Sequence, residues 1–313
     1  MAKLETVPYG GWDSCHRLSN GVIDLVVTGQ VGPRIIRLGF SGQGNLFCEV
    51  AEELGRTGGD AWRMYGGHRF WHAPEDPLRT YQPDNTPVEV GECSGVVRVV
   101  QPLEVATGIQ KELDIEMGDA AAHVRITHRL INRNLWQVTL APWALSVMTA
   151  GGTGVIPLPP RGPHPENLLP VNTLALWPYT DMSDPRWTWG ERYILLRQDE
   201  VATGPQKFGA DVRDGWVAYV VGGYAFVKLF ARAPGGRYPD LGSNVEVFTN
   251  DFMLELETLG RVQRLEPGGT AEHIEDWFLF EGVAAPGGDA EVEATLLPLV
   301  RRAQAAVAPA LPR

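Results

Sequence analysis

The feature that most constrains the fold is a series of short runs rich in β-branched residues, separated by glycine and proline. The chain contains 36 glycines and 24 prolines among 313 residues, and both residue types interrupt regular structure. Twelve runs have the composition and length of strands: residues 21–27, 33–40, 95–102, 108–117, 122–132, 136–148, 193–198, 216–221, 225–231, 244–248, 252–258 and 277–281. Helical segments do not alternate with these runs, so we expect an all-β protein, a large antiparallel β-sandwich.

The run 122–132 shows the pattern most clearly. Val124, Ile126 and Leu130 alternate with polar residues, as in a strand with one buried face. Residues 136–148 follow after a short connector, and the two runs predict a hairpin.

Two further segments complete the predicted organisation. Residues 151–192 are rich in Gly, Pro, Trp and Asn without helical periodicity, and we expect a long irregular insert there. Residues 290–306 are the best helix candidate, although Pro298 interrupts the apolar stripe. We expect residues 1–313 to form a single domain that ends in this short helix.

The composition limits the classes of partner. The net charge is −11, which argues against nucleic acid. The three cysteines are widely spaced and indicate no disulfide framework. No secretory leader and no apolar run long enough to span a bilayer is visible. These features predict a reduced, soluble, cytoplasmic protein. We expect a monomer or homodimer, and an enzyme of the kind considered below would need no cofactor.

A candidate functional segment extends over residues 64–85. Glycines 66 and 67 and three prolines predict a shaped loop, and such loops often carry function on a rigid scaffold. The segment carries His68, Arg69, Trp71, His72 and Glu75. In the alternative interpretation, Trp71 fills the core and the charged residues face water.

A pair of acidic residues lies near the end of the chain. On a strand, Glu255 and Glu257 point to one face, with Leu254 and Leu256 on the other. Two carboxylates about 7 Å apart raise at least one pKa, which suits a general base near neutral pH. The alternative is a solvated strand face on which the glutamates pair with arginines.

An aromatic cluster between residues 177 and 187 is another candidate ligand site. Trp177, Tyr179 and Trp187 lie among Asp181 and Arg186, and aromatic rings with charged groups are typical of sugar sites; equally, the tryptophans could pin a long loop to the sandwich.

Farther along the chain, Lys207 and Asp240 are also candidate ligand contacts, or else belong to surface turns. His68, His72 and Glu75 have a spacing that could bind zinc on a helix, but the flanking glycines and Pro74 disfavour a helix, and we predict no metal site.

The order of these motifs resembles the galactose mutarotase-like (aldose 1-epimerase) superfamily, over roughly residues 20–280. The triplet 256–258, Leu-Glu-Thr, precedes Leu-Glu-Pro-Gly at 265–268, similar to the late strand and turn of that family. Residues 66–69, Gly-Gly-His-Arg, with Trp71 and Pro74, are similar to its Gly-Gly…Trp-Pro loop. The resemblance implies the supersandwich fold, and it indicates a divergent branch.

The resemblance also implies a chemistry. A carboxylate, here Glu257, would remove the proton of the anomeric hydroxyl, and an imidazolium would protonate the ring oxygen. The family's acid histidine lies on the strand after the hairpin, where this sequence has Ser146. We therefore expect His68 or His72 to supply the acid if the protein is an enzyme.

The residues expected to frame a sugar ring in this enzyme hypothesis are Arg69, Trp71, Glu75, Asp181, Arg186 and Trp187, with Glu255 beside the base. Two other hypotheses stay open: a carbohydrate-binding protein without catalysis, and an assembly domain whose aromatic loop contacts another protein.

Overall fold

The computed structural model describes residues 2–307 and contains two large antiparallel sheets. One sheet has eleven strands in the order β1-β2-β3-β4-β5-β10-β19-β18-β15-β12, with β20 also paired to β10. The other has ten strands in the order β13-β14-β11-β16-β17-β21-β9-β8-β7-β6. The predicted all-β sandwich is confirmed.

The strands are bounded as follows: β1 Lys3–Tyr9, β2 Trp12–Ser19, β3 Ile23–Thr28, β4 Arg34–Phe40, β5 His68–Ala73, β6 Glu89–Cys93, β7 Val96–Val100, β8 Ile109–Met117, β9 His123–Asn132, β10 Val138–Met148, β11 Thr153–Pro157, β12 Leu174–Leu176, β13 Trp187–Trp189, β14 Tyr193–Arg197, β15 Gln206–Ala210, β16 Trp216–Val221, β17 Tyr224–Phe230, β18 Val245–Thr249, β19 Leu254–Leu259, β20 Gln263–Leu265 and β21 Thr270–Glu281.

The main core lies between the sheets. Phe70, Ala144 and Leu256 of the eleven-stranded sheet belong to the same buried cluster as Ile126 and Trp277 of the ten-stranded sheet. Because side chains alternate along a strand, the residues between these positions leave the first sheet on its other side, which we call the outer face.

The prediction of a loop over residues 64–85 is wrong for residues 68–73. His68–Ala73 is strand β5, paired with β10 along its whole length and with β4 at its start. All six residues are buried because the strand is covered on both faces. Its alternation is hidden in the sequence, since aromatic and polar residues occupy both faces.

The insert at 151–192 is less irregular than expected. Thr153–Pro157 is a fully buried strand that pairs with β14 and β16. Short strands β12 and β13 lie farther along. The glycines and prolines around these strands obscured them, because both residue types usually interrupt strands.

The expected C-terminal helix is present over residues 289–307. It is α-helical over Asp289–Glu291 and Leu297–Val307 and π-helical over Val292–Leu296, just before Pro298. Val292, Leu296, Val300 and Ala303 pack on the ten-stranded sheet. In residues 2–307, no helix combines the length and apolarity needed to cross a bilayer.

Candidate functional site

A cavity of about 300 Å³ lies on the outer face of the eleven-stranded sheet. Its floor comes from neighbouring strands, with Arg69 on β5, Trp143 on β10, Glu255 on β19 and Lys207 on β15. The register explains this grouping, because Arg69, Leu145 and Glu257 are direct neighbours across three strands. Outward residues of adjacent strands therefore converge on one hollow.

The walls of the cavity are aromatic. Trp71 lies 5.3 Å from Trp143, 5.7 Å from Trp62 and 5.1 Å from Tyr81 between ring centroids. Tyr179 also lines the cavity and is 41% exposed. This arrangement offers ring faces and edges to a ligand that enters from solvent.

One buried ion pair borders the cavity. Arg69 Nη2 donates to Glu255 Oε1 at 2.7 Å, and both side chains are almost completely buried. The guanidinium also lies over the Trp71 ring, 4.4 Å from its centroid. Arg69 Nε is buried without a hydrogen-bond partner among the described residues, so one donor of the pair is unsatisfied.

A second charged group also lines the cavity. Lys207 Nζ is 2.8 Å from Glu246 Oε2 and 3.5 Å from Glu257 Oε2. It lies between two rings, 5.0 Å from the Trp143 centroid and 4.7 Å from that of Trp177. Burial alone would lower the pKa of Lys207, but Glu257 and Glu246 outweigh it and raise that pKa. The ammonium is therefore fixed in its charged form.

Glu257 lies under this lysine. It is fully buried, and Trp143 Nε1 donates to its Oε2 at 2.7 Å. Burial raises the pKa of Glu257 to about 7, against the opposing effect of Lys207. The sequence predicted a glutamate with a raised pKa at this position, but it did not predict the lysine above it.

The predicted acid histidines are not in this cavity. His68 and His72 leave β5 on the inner face, since they alternate with the outward Arg69 and Trp71. No histidine of the described chain lines the cavity. The expectation that His68 or His72 faces Glu257 is therefore wrong, because the sheet itself separates them.

The inner histidines belong to a buried hydrogen-bonded network. His68 Nδ1 is 2.9 Å from Ser146 Oγ, His68 Nε2 is 2.8 Å from His128 Nε2, and His128 Nδ1 is 3.0 Å from the His273 carbonyl oxygen. The carbonyl can only accept, so His128 carries its hydrogen on Nδ1. His68 then donates from Nε2 and accepts from the Ser146 hydroxyl, and both rings are neutral.

The same network contains the one cluster of metal-ligand types found among residues 2–307. The candidate ligand atoms of His68, His128 and Glu275 lie within 4.8 Å of one another. Lys228 Nζ, however, lies 3.0 Å from Glu275 Oε1, and Trp277 Nε1 donates to the other oxygen at 2.8 Å. These hydrogen bonds account for the cluster, and the ammonium opposes a bound cation.

The other predicted contacts lie outside the cavity lining. Arg186 is paired with Asp184 at 2.9 Å, and Trp187 packs in the core between the sheets. Asp181 is exposed and bonds to Ser183. Asp240 begins a short 3-10 turn, Asp240–Gly242. Only Arg69, Trp71, Glu75, Lys207 and Glu255 of the predicted contacts line the cavity.

Sequence reasoning missed Glu246 and Trp143. Both sit on predicted strands between inward-facing residues: Glu246 between Val245 and Val247, and Trp143 before Ala144. Alternation within each strand marks them as outward, but only the strand order brings them beside Glu257.

A larger hollow of about 490 Å³ lies elsewhere, lined by Asp211, Arg232 and Tyr238 among others. There Arg232 makes two hydrogen bonds to Asp211, and within residues 2–307 Tyr238 is the only aromatic residue that lines this hollow. The outer-face cavity is therefore the better candidate for a ligand site, since it combines aromatic walls with converging polar groups.

Solved structures share the fold over most of the chain. A protein from Synechocystis matches with a TM-score of 0.57 and 10% identity, covering 88% of this chain and 99% of that one. A galactose mutarotase related enzyme from Lactobacillus acidophilus matches at 0.54 and 9%, covering 86% and 98%. A galactose mutarotase-like protein from Clostridium acetobutylicum matches at 0.52 and 10%, covering 90% and 99%.

This chain has the galactose mutarotase-like fold. No protein-family model matches the sequence, and no curated protein is detectably similar to it. The low identities agree with the expected divergent branch.

Proposed function

We propose that this protein binds a neutral carbohydrate in the outer-face cavity. The observation that carries the proposal is the buried Arg69–Glu255 pair set among the rings of Trp62, Trp71 and Tyr81. The volume of about 300 Å³ lies at the lower end of the ~300–1,000 Å³ typical of ligand pockets. A single sugar ring fits that volume better than a long chain.

The aromatic walls favour a sugar over a flat or strongly charged ligand. Sugar rings present C–H groups on one face and hydroxyls around the edge, so they combine stacking with hydrogen bonding. Trp71 and Tyr179 supply ring surface, while Arg69, Lys207 and Glu75 supply polar groups. Relatives in fold are described as galactose mutarotase-like proteins, which supports an aldose as the ligand.

The charges in the cavity support a neutral ligand. Arg69 is compensated by Glu255, and Lys207 by Glu246 and Glu257. A strongly anionic or cationic ligand would have to break one of these buried pairs, and leaving a buried charge unpaired costs about 3–5 kcal/mol.

Calorimetric titration against a panel of aldoses, ketoses and disaccharides tests the proposal. We expect saturable binding of at least one monosaccharide, weakened by Tyr179→Ala. Trp136→Ala is the matched control, because Trp136 is 64% exposed at a hairpin away from the cavity. No binding across the panel, or equal loss in both variants, contradicts the proposal.

Interconversion of anomers is the second candidate function. It is favoured by the pKa of Glu257, about 7, which suits a general base. It is disfavoured by the position of that carboxylate under Lys207 and by the cavity's lack of a histidine within residues 2–307. We therefore place binding ahead of catalysis.

Polarimetry on freshly dissolved aldoses separates the two functions. Binding without faster mutarotation supports the first, whereas acceleration that Glu257→Gln abolishes supports the second. Acceleration that survives Glu257→Gln removes Glu257 from the mechanism.

A further inference from the structure

Two acidic side chains meet beneath the cavity. Glu246 of β18 and Glu257 of β19 are direct partners in the antiparallel register. Both leave the outer face, because the next pair in the register, Val247 and Leu256, points into the core. Directly opposed residues have Cβ atoms about 4.5–5.5 Å apart, so the two carboxyl groups are neighbours. Glu246 is 1% exposed and Glu257 is 0% exposed.

The ammonium of Lys207 lies close to both carboxyl groups. Lys207 Nζ lies 2.8 Å from Glu246 and 3.5 Å from Glu257. Glu246 Oε1 and Glu257 Oε1 are buried and lack hydrogen-bond partners within the described chain, and Glu246 Oε2 meets Lys207 as an ion pair without a hydrogen bond. A single ammonium cannot neutralise two buried carboxylates, and an uncompensated buried charge takes up a proton instead.

We infer that Glu246 and Glu257 form one carboxyl pair that shares a proton beneath Lys207, with Glu246 as the positioning residue that sets the charge of the cavity floor. This inference rests on the proposed function for its role in ligand binding, but the pair itself does not. The protonated pair is neutral together with Lys207, and the deprotonated pair carries one net negative charge.

The surrounding charges do not remove the need for this proton. The groups that face the pair from the elements packed against it are Arg69 on β5, Glu255 on β19, Asp240 of the 3-10 turn, Tyr179 before β13, and Lys228 on β17 behind the sheet. Arg69 is held by Glu255 and Lys228 by Glu275, so neither cation is free to compensate the pair.

The expected titration agrees with the geometry. Burial raises the pKa of Glu246 well above its ordinary value, and burial raises that of Glu257 to about 7. Because the two sites interact strongly, these protons belong to the pair rather than to either residue.

The shared proton acts on the ligand through Lys207, because neither acid lines the cavity itself. When the proton leaves, two carboxylates hold Lys207 more tightly, and its ammonium is less available to the ligand. We expect affinity for a neutral sugar to fall several-fold over the same pH range, roughly pH 6 to 8. In Glu246→Gln this pH dependence should disappear.

Carbon-13 NMR of ligand-free protein labelled at the glutamate carboxyl carbon tests the pair directly. In the natural protein, we expect two glutamate signals to shift together around one midpoint near neutral pH. Glu246→Gln leaves one carboxylate facing one ammonium, so the Glu257 signal should stay ionised and its near-neutral shift should vanish. Glu257→Gln should act likewise on Glu246.

Glu104→Gln is the control, since Glu104 is a buried partner of Lys111 in another part of the molecule; the near-neutral shift should remain. The proposed pair is contradicted if the carboxyl signal of Glu257 still titrates with a midpoint near pH 7 in Glu246→Gln. If a variant does not fold, the spectra of the natural protein are sufficient. The absence of two glutamate signals with one common midpoint would also contradict the proposed pair. Loss of sugar binding with the titration intact would count against the proposed function only.

Discussion

Ser146 and Glu257 lie on neighbouring strands, yet their side chains leave the sheet on opposite faces. Ser146 pairs with Leu256 in the register and contacts His68 in the core, whereas Glu257 pairs with Leu145 on the outer face. The residue that replaces the expected histidine therefore does not face the cavity. The outward positions on β10 are Trp143, Leu145 and Val147.

Placing a histidine at residue 146 should not create a catalytic acid. Ser146→His puts a ring into a fully buried site and should destabilise the fold by about 1–3 kcal/mol through overpacking. Urea unfolding measures this loss, and polarimetry should show no faster mutarotation. Leu145→His is the matched comparison on the outer face beside Glu257. Faster mutarotation in Ser146→His alone would contradict the assigned faces.

Removing one partner of the Arg69–Glu255 pair should lower the free energy of unfolding substantially. Glu255→Gln leaves a guanidinium that is 2% exposed without its counter-charge, and we expect a loss of about 3–5 kcal/mol. Glu191→Gln is the control, because the Arg161 and Glu191 side chains of its ion pair are 66% and 79% exposed and such pairs contribute about 0–1 kcal/mol. Urea unfolding compares the two, and equal losses would show that the cavity pair is not effectively buried.

Buried neutral histidines should make the protein sensitive to acid. Burial lowers the pKa of His72 to about 4 from 6.5, so the unfolded chain binds the proton first. The stability that His72 contributes is complete above pH 6.5 and is lost as the pH falls toward 4. The full change is about 3 kcal/mol.

Urea unfolding between these two pH values measures that change. His72→Gln should lose stability less steeply than the natural protein, while exposed His164→Gln should follow the natural curve. Glu257 has a raised pKa, so its contribution to stability grows as the pH falls, opposite to that of His72. For this reason each variant is compared with the natural protein at the same pH. Parallel curves for His72→Gln and the natural protein would contradict a buried neutral imidazole.

Trp71 should contribute directly to ligand affinity. Its ring lines the cavity beside Arg69 and is 6% exposed. Trp71→Ala removes this stacking surface, and we expect a 10- to 100-fold loss of sugar affinity, about 1.4–2.8 kcal/mol. Calorimetry measures it, with folding checked by circular dichroism. Unchanged affinity in a folded variant would place the ligand elsewhere.

The sequence predicted the fold class because period-two alternation is local information. Residues 122–132 and 252–258 could be assigned from their own side chains, and so could the common face of Glu255 and Glu257. Strand β5 could not, since it carries polar or aromatic residues on both faces: His68 and His72 inward, Arg69 and Trp71 outward.

The composition of the site depends on strand order, which alternation does not determine. Lys207 and Glu257 are 50 residues apart and meet because β15, β18 and β19 are neighbours in the sheet. Likewise, a shift of one residue along β5 would move the histidines to the cavity, so their side of the sheet could not be fixed without the register.

The most direct test of the account is a crystal structure with the sugar that binds most tightly. We predict that the sugar ring lies in the outer-face cavity, stacked on Trp71 or Tyr179, with hydroxyls bonded to Arg69 or Lys207. A sugar bound only in the hollow beside Asp211 and Arg232, or at any site away from Trp71, would contradict the central claim.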